Sequence, residues 1–108
     1  MRICIIFGHH DSKNSFNAHI KNTFIDEATK CGHTIDLIEL FNENECLPFY
    51  RSDINPPPKA VLKYRQRLEE ADAMFLISPC NNLRLNSITE NWIDWVLHPT
   101  WFFTYRSM

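Results

Sequence analysis

The stretch RICIIFGHHDSKNSFN, residues 2–17, decides the fold. Ile3 to Phe7 is an unbroken apolar run that Gly8 ends, the pattern of a short strand buried on both faces. Behind the polar loop the apolar spacing becomes helical: Phe16, Ile20, Phe24 and Ala28 recur every four residues, with Ile25 and Cys31 beside them. Gly32 stands where a helix is commonly closed by a left-handed residue. The loop itself, GHHDSKNSFN, admits three roles. His9 and His10 suit a metal, Ser12, Ser15 and the helix start suit an anion, and a solvated turn suits everything.

Outward from this unit the same alternation continues. HTIDLIEL, residues 33–40, reads as a second strand whose acids Asp36 and Glu39 suit an edge position. Residues 41–58 carry four prolines and no period, a loop longer than packing requires. KAVLKYRQRLEEA, residues 59–71, is a helix with Val61, Tyr64 and Leu68 on its apolar stripe, and Tyr64, Arg65 and Arg67 also read as a solvated face. DAMFLISP, residues 72–79, is a third apolar strand expected to be buried on both faces. NNLRLNS is read as a loop, and ITENWIDWVL, residues 88–97, as a third helix with Ile88, Trp92, Trp95 and Val96 near one face. The tail HPTWFFTYRSM is aromatic and without period.

Strand, helix, strand, helix, strand, helix predicts one α/β domain over residues 1–108 with a parallel sheet in order 2-1-3. The first helix falls on one face and the later two on the other. In such sheets ligands bind beyond the carboxyl ends of the strands, where the chain reverses direction across the sheet. The loops after the first and third strands meet there.

The 108 residues are 44% hydrophobic and 22% charged, ordinary for a globular domain. A formal charge of -2 offers nucleic acid or an anionic membrane no electrostatic attraction. No apolar run approaches the roughly 18 residues of a membrane span, and no signal-peptide pattern opens the chain, so a cytoplasmic location is expected. Cys4, Cys31, Cys46 and Cys80 lack metal or disulfide spacing, so reduced thiols are expected, two or three of them buried, with no metal site.

GHHDSKNSFNAHIK, residues 8–21, resembles the H-P-x-x-x-S-F-N opening of the flavodoxin-like NAD(P)H dehydrogenase (quinone) family. ADAMFLISPCNNLRLNSITENWIDWVLHPTWFFTY, residues 71–105, resembles the second signature of that family, in which a strand ends in proline before a loop and a helix bearing Lys-Gly-Trp-Ile-Asp. FMN-dependent azoreductases are related and have a similar loop with an Asn after the Pro. The resemblance runs over nearly the whole chain, against the family's first half to two-thirds. It implies a flavodoxin-like three-layer fold with a shortened sheet. The family's fourth strand, Gly-rich flavin loop and fifth strand have no counterpart in these residues.

By that resemblance His10, Ser15, Phe16 and Asn17 fall where the family contacts the flavin phosphate, and Pro79, Cys80, Asn81, Asn82 and Leu83 where its loop lies along the isoalloxazine ring. The implied cofactor is FMN or FAD. The implied reaction takes two electrons from NAD(P)H to a quinone-like acceptor, the alternative being a non-catalytic binding or regulatory protein of the same fold. The sequence departs from the family at Asp11, which replaces a proline, at Asn81 and Asn82, which replace aromatics, at Asn86, which replaces a proline, and at Glu90, which replaces a lysine. A homodimer or larger oligomer is expected, built through the third strand's edge, the third helix with Trp92 and Trp95, and the aromatic tail.

Overall fold

A computed structural model describes residues 1–42 and 47–98 of the chain. Its elements run β1 (Arg2–Phe7), α1 (Phe16–Lys30), β2 (Thr34–Glu39), α2 (Lys59–Glu70), β3 (Ala73–Ile77), β4 (Cys80–Asn81), β5 (Arg84–Leu85) and α3 (Ser87–Val96). The main sheet has the order β2-β1-β3 and both pairings are parallel, with Ile5 of β1 opposite Leu37 of β2 and Phe75 of β3.

β1 is the centre of the core, and its alternation divides the molecule. Ile3, Ile5 and Phe7 point to the α1 side, where Ala18, Ala28 and Ile77 complete one cluster with Phe24 and Ile25. Cys4 and Ile6 point to the other side, into a larger cluster with Val61, Tyr64 and Leu68 of α2 and Trp92, Trp95 and Val96 of α3. α1 thus covers one face while α2 and α3 cover the other, as right-handed crossovers require. The proline loop is tied to α3: the Pro48 carbonyl accepts hydrogen bonds from Trp95 Nε1 at 2.7 Å and Asn91 Nδ2 at 3.0 Å.

Several expectations are corrected. Phe16 (78% exposed) and Ile20 lie outside the core; Ala28 is buried as expected, and Ala18 and Lys21 are buried in addition. β3 is not buried on both faces. Ala73 and Met74 are exposed, while its edge position, with no strand partner on the far side among the described residues, follows the expected order 2-1-3. β2 is the opposite edge, as its acids suggested. Arg65 and Arg67 are engaged rather than solvated. Arg65 donates to the Trp95 and Val96 carbonyls at the end of α3, and Arg67 makes a two-pronged contact with Asp36 at 2.5 and 3.0 Å. Tyr64 is buried. Trp92 (1% exposed) and Trp95 (2%) are core residues of the single chain and supply no surface for assembly. Of the described cysteines only Cys4 is buried, and Cys46 and the tail from residue 99 lie outside the described residues. No described helix is long and apolar enough to cross a membrane.

Candidate flavin site

The loops after β1 and β3 leave the same end of two adjacent strands, and a buried polar knot ties their stems. The Gly8 amide donates to the Ile77 carbonyl at 2.8 Å. Asn86 Nδ2 donates to the Gly8 carbonyl at 2.5 Å, while Asn86 Oδ1 accepts from Ser78 Oγ at 3.0 Å and Thr89 Oγ1 at 2.5 Å. Thr89 is fully buried. Gly8 is required by this approach, since a β-carbon there would meet Thr89 Oγ1 at 2.1 Å. Asn86, placed as the N-cap residue of α3, therefore joins the two loops of the crevice. Sequence reading noticed Asn86 only as a departure from a family pattern, because its partners are far away in the chain.

Within the first loop the polar groups are largely satisfied by one another. Ser15 is the N-cap of α1: its Oγ accepts the Ala18 amide at 3.1 Å and donates to the Asp11 carbonyl at 2.7 Å. Asp11 Oδ1 accepts the amides of Lys13 at 3.0 Å and Asn14 at 2.9 Å. Those two backbone donors, Asn14 first, hold the Asp11 carboxyl below its ordinary range. The Asp11 amide donates to His9 Nδ1 at 2.9 Å. The His9 and His10 rings stack at 4.5 Å, and His10 meets the Phe41 ring edge-on at 6.1 Å. Among the described residues no group of three His, Cys, Asp or Glu side chains could hold a metal.

A residue the sequence reading missed supports this loop from below. Lys21 of α1 is only 4% exposed. Its Nζ donates to the Ser12 carbonyl and to Glu39 Oε1, both at 2.9 Å, and lies 4.5 Å from the centre of the Phe7 ring. Burial pushes the Glu39 carboxyl up, but hydrogen bonds from Lys21 and Asn42 outweigh it and hold the group below its ordinary value. The signal was present in the spacing: Ala18, Lys21, Ile25 and Ala28 make a helical stripe once a lysine is allowed on it.

The second loop is a hairpin, not an irregular segment. Cys80 pairs with Leu85 and Asn81 with Arg84, leaving Asn82 and Leu83 as a two-residue turn with φ +52° and +63°. Two successive positive φ values are the requirement of the tight turn that matches the twist of antiparallel strands. Leucine is a poor residue for it, and Leu83 is 98% exposed. Cys80 is also exposed on this hairpin. Cys4, by contrast, is sealed beneath β2 and α2, where burial foremost and the Asp36 charge next push its thiol up to about 11, leaving it inert.

The residues predicted for the site are thus placed as follows. His10, Ser15, Phe16 and Asn17 follow β1 and open α1, and Pro79 to Leu83 follow β3 on the adjacent strand. The Phe16 side chain lines a groove of about 550 Å³ along α1, with Ile20, Phe24 and Phe75 of β3. The first-turn amides of Phe16 and Asn17, which precede the first intrahelical bonds, have no acceptor among the described residues. With the positive end of the helix dipole behind them they suit an anion.

Comparison with known proteins bears on the fold. No curated protein matches the sequence. Among solved structures, an NAD(P)H:quinone oxidoreductase from Methanothermobacter marburgensis superposes with a TM-score of 0.79 at 23% identity, over 89% of this chain and 52% of that one. A flavoenzyme NAD(P)H:(acceptor) oxidoreductase from Paracoccus denitrificans gives 0.67 at 25% identity, over 91% and 51%. An azoreductase from Bacillus anthracis str. Sterne gives 0.71 at 17% identity, over 88% and 54%. The chain spans about half the length of each of these. A family described as the flavodoxin-like fold matches residues 1–108 from end to end, and the chain belongs to that family.

Proposed function

We propose that this chain is a flavin-dependent NAD(P)H:quinone-type oxidoreductase. The observation that carries the reading is the junction of the β1 and β3 loops at the Gly8–Asn86–Ser78 knot, at the reversal point of a flavodoxin-like sheet. The free amides of Phe16 and Asn17, with His10 and the Asn17 side chain, are the groups offered to a flavin phosphate. The hairpin Cys80 to Leu85 is offered to the ring, through its backbone and the exposed Leu83.

A bound flavin, FMN or FAD, would supply two-electron transfer from NAD(P)H to a quinone-like acceptor. This chain's own residues do the positioning. Ser15 caps and orients the helix start. Lys21 holds the loop by the Ser12 carbonyl. Asn86 fixes the spacing between the loops. No side chain of the described site is assigned a proton transfer.

The departures from the family pattern at Asp11, Asn81 and Asn82 favour a second reading, a non-catalytic flavodoxin-like binding protein that retains the phosphate loop. An absorbance spectrum of the purified protein separates the two from a third outcome. Flavin bands with bleaching by NAD(P)H support the oxidoreductase. Flavin bands without bleaching support the binding protein. A colourless protein that takes up neither FMN nor FAD overturns both.

For assembly we propose self-association into a homodimer or larger oligomer through the edge of β3 that has no strand partner among the described residues and the adjoining groove of Phe16, Ile20, Phe24 and Phe75. A sedimenting species of 12.8 kDa at micromolar concentration would exclude it.

A further inference from the structure

The outer edge of β3 is short, unguarded and self-complementary. The register with β1 sets Phe75 opposite Ile5 and Ile77 opposite Phe7, and the Gly8 amide donates to the Ile77 carbonyl. In a parallel ladder alternate residues turn both backbone groups to the same neighbour. Ala73, Phe75 and Ile77 therefore face β1, while Met74 and Leu76 turn theirs outward, where no strand partner stands among the described residues. Asp72, before the strand, gives its amide to the Arg2 carbonyl at 2.7 Å. AMFLI itself holds neither a charge nor a proline, the usual guards of an exposed edge.

Resting on the self-association proposed above, we infer that the occupant of this edge is a second copy of the chain, paired antiparallel through β3 about a two-fold axis at Phe75. In that register Met74 meets Leu76 of the second copy on either side of the axis, and each pair exchanges its N–H and C=O bonds. An axis at Met74 would set Leu76 against Asp72, whose amide is taken, and an axis at Leu76 would set Met74 against Ser78, outside the strand. Side chains agree with the Phe75 axis. The exposed Met74 lies beside the partly buried Leu76, and the small Ala73 lies beside Ile77.

The same axis matches the polar groups of α1. It keeps both first helices on one face of a joined sheet and runs them antiparallel. With strands about 4.8 Å apart, β1 and its copy, and the helices above them, stand roughly 14 Å apart. That exceeds the roughly 8–10 Å of direct helix packing, and the groove side chains Phe16, Ile20, Phe24 and Phe75 are placed to fill the difference. His19 and Glu27 line this groove too. Midway between them is Thr23, next to Phe24, whose ring lies 4.4 Å from that of Phe75. The axis thus sets each His19 imidazole, a donor, against the Glu27 carboxylate of the other copy, an acceptor. Lys30 lies 3.5 Å from one Glu27 oxygen in an exposed pair and leaves the other oxygen for this contact.

Sedimentation at micromolar concentration is combined with disulfide trapping in a background where Cys31, Cys46 and Cys80 are serine. Wild type is expected to sediment as a dimer of the 12.8 kDa chain. Phe75→Cys should give a disulfide-linked dimer on mild oxidation, because facing residues of a non-hydrogen-bonded pair lie about 4.5 Å apart at Cα. Met74→Cys should not link to itself. Met74→Lys, at a position exposed in the single chain, should keep the wild-type circular dichroism and become monomeric, with association weakened about tenfold or more. A monomeric wild type overturns self-association altogether, and this register with it. A wild-type oligomer that survives Met74→Lys, or that links through Met74→Cys and not through Phe75→Cys, overturns the register and leaves self-association standing through another surface. Should Phe75→Cys fail to fold, Met74→Lys alone decides: a dimeric variant overturns the proposal.

Discussion

The ammonium of Lys21 and the carboxylate of Glu39, eighteen residues apart, meet at 2.9 Å under the loop after β1, with the lysine almost wholly buried. An ion pair in such a place is not in itself a large source of stability, but removing one partner leaves the other uncompensated. Lys21→Met is therefore expected to destabilise the fold by about 2–4 kcal/mol, short of the extreme because Glu39 keeps some access to solvent. Lys21→Met with Glu39→Gln should recover part of that loss. Urea midpoints of the three proteins measure it, and a single variant as stable as wild type would contradict the burial.

Gly8 and Thr89 share one space. Gly8→Ala places a methyl group against a short buried side chain that is itself hydrogen-bonded to Asn86, and a cost of about 1–3 kcal/mol is expected. Thr89→Ala removes the offending oxygen, so the double variant should be less damaged than the two single losses added together. Thermal unfolding of the four proteins in the cycle decides; strict additivity would mean that the two residues do not touch.

Leu83 should be replaceable at a gain. A leucine in the left-handed region costs about 1–2 kcal/mol relative to a residue free of that penalty, and this one buries nothing in the chain. Leu83→Gly is expected to raise stability by about 0.5–1 kcal/mol after the extra freedom of glycine in the unfolded chain is counted. If the hairpin tip lies along a flavin ring, the same variant should bind flavin more weakly. A variant that is both more stable and equally tight for flavin would place the ring elsewhere.

Part of the acid sensitivity should trace to Asp36. Its carboxyl is held below the ordinary 3.8, first by hydrogen bonds from Arg67 and against the upward push of burial. A group whose pKa is depressed by folding contributes stability that is complete above its unfolded value and is lost as pH falls through its folded value. Wild type should therefore lose stability from about pH 4 downward. Arg67→Met should be less stable than wild type at neutral pH and should show a shallower decline in acid. Denaturant midpoints at neutral pH and near pH 3 test this; parallel curves for the two proteins would remove Asp36 as the source.

Local signals made the order of elements legible. The apolar run Ile3 to Phe7, the Ser15 cap and the closing Gly32 (φ +85°) each act within a few residues. They determined that β1 is central, that α1 begins at Phe16 and that the sheet is parallel. The same residues, with the later SPCNNLR loop, form the proposed site. Tertiary structure alone decided what depends on partners distant in sequence. Lys21 is paired in its buried place because β2 brings Glu39 to it, and Arg67 is held because β2 brings Asp36 to the face that α2 covers. β3 reads as buried on both faces because its residues are apolar, yet burial depends on what packs above and below, and Ala73 and Met74 at its start are exposed. The hairpin at Asn82 and Leu83 was hidden because its turn lacks the glycine that usually announces one. Asp11 could have faced a ligand or its own loop, and the backbone path from Gly8 to Ser15 turned it inward.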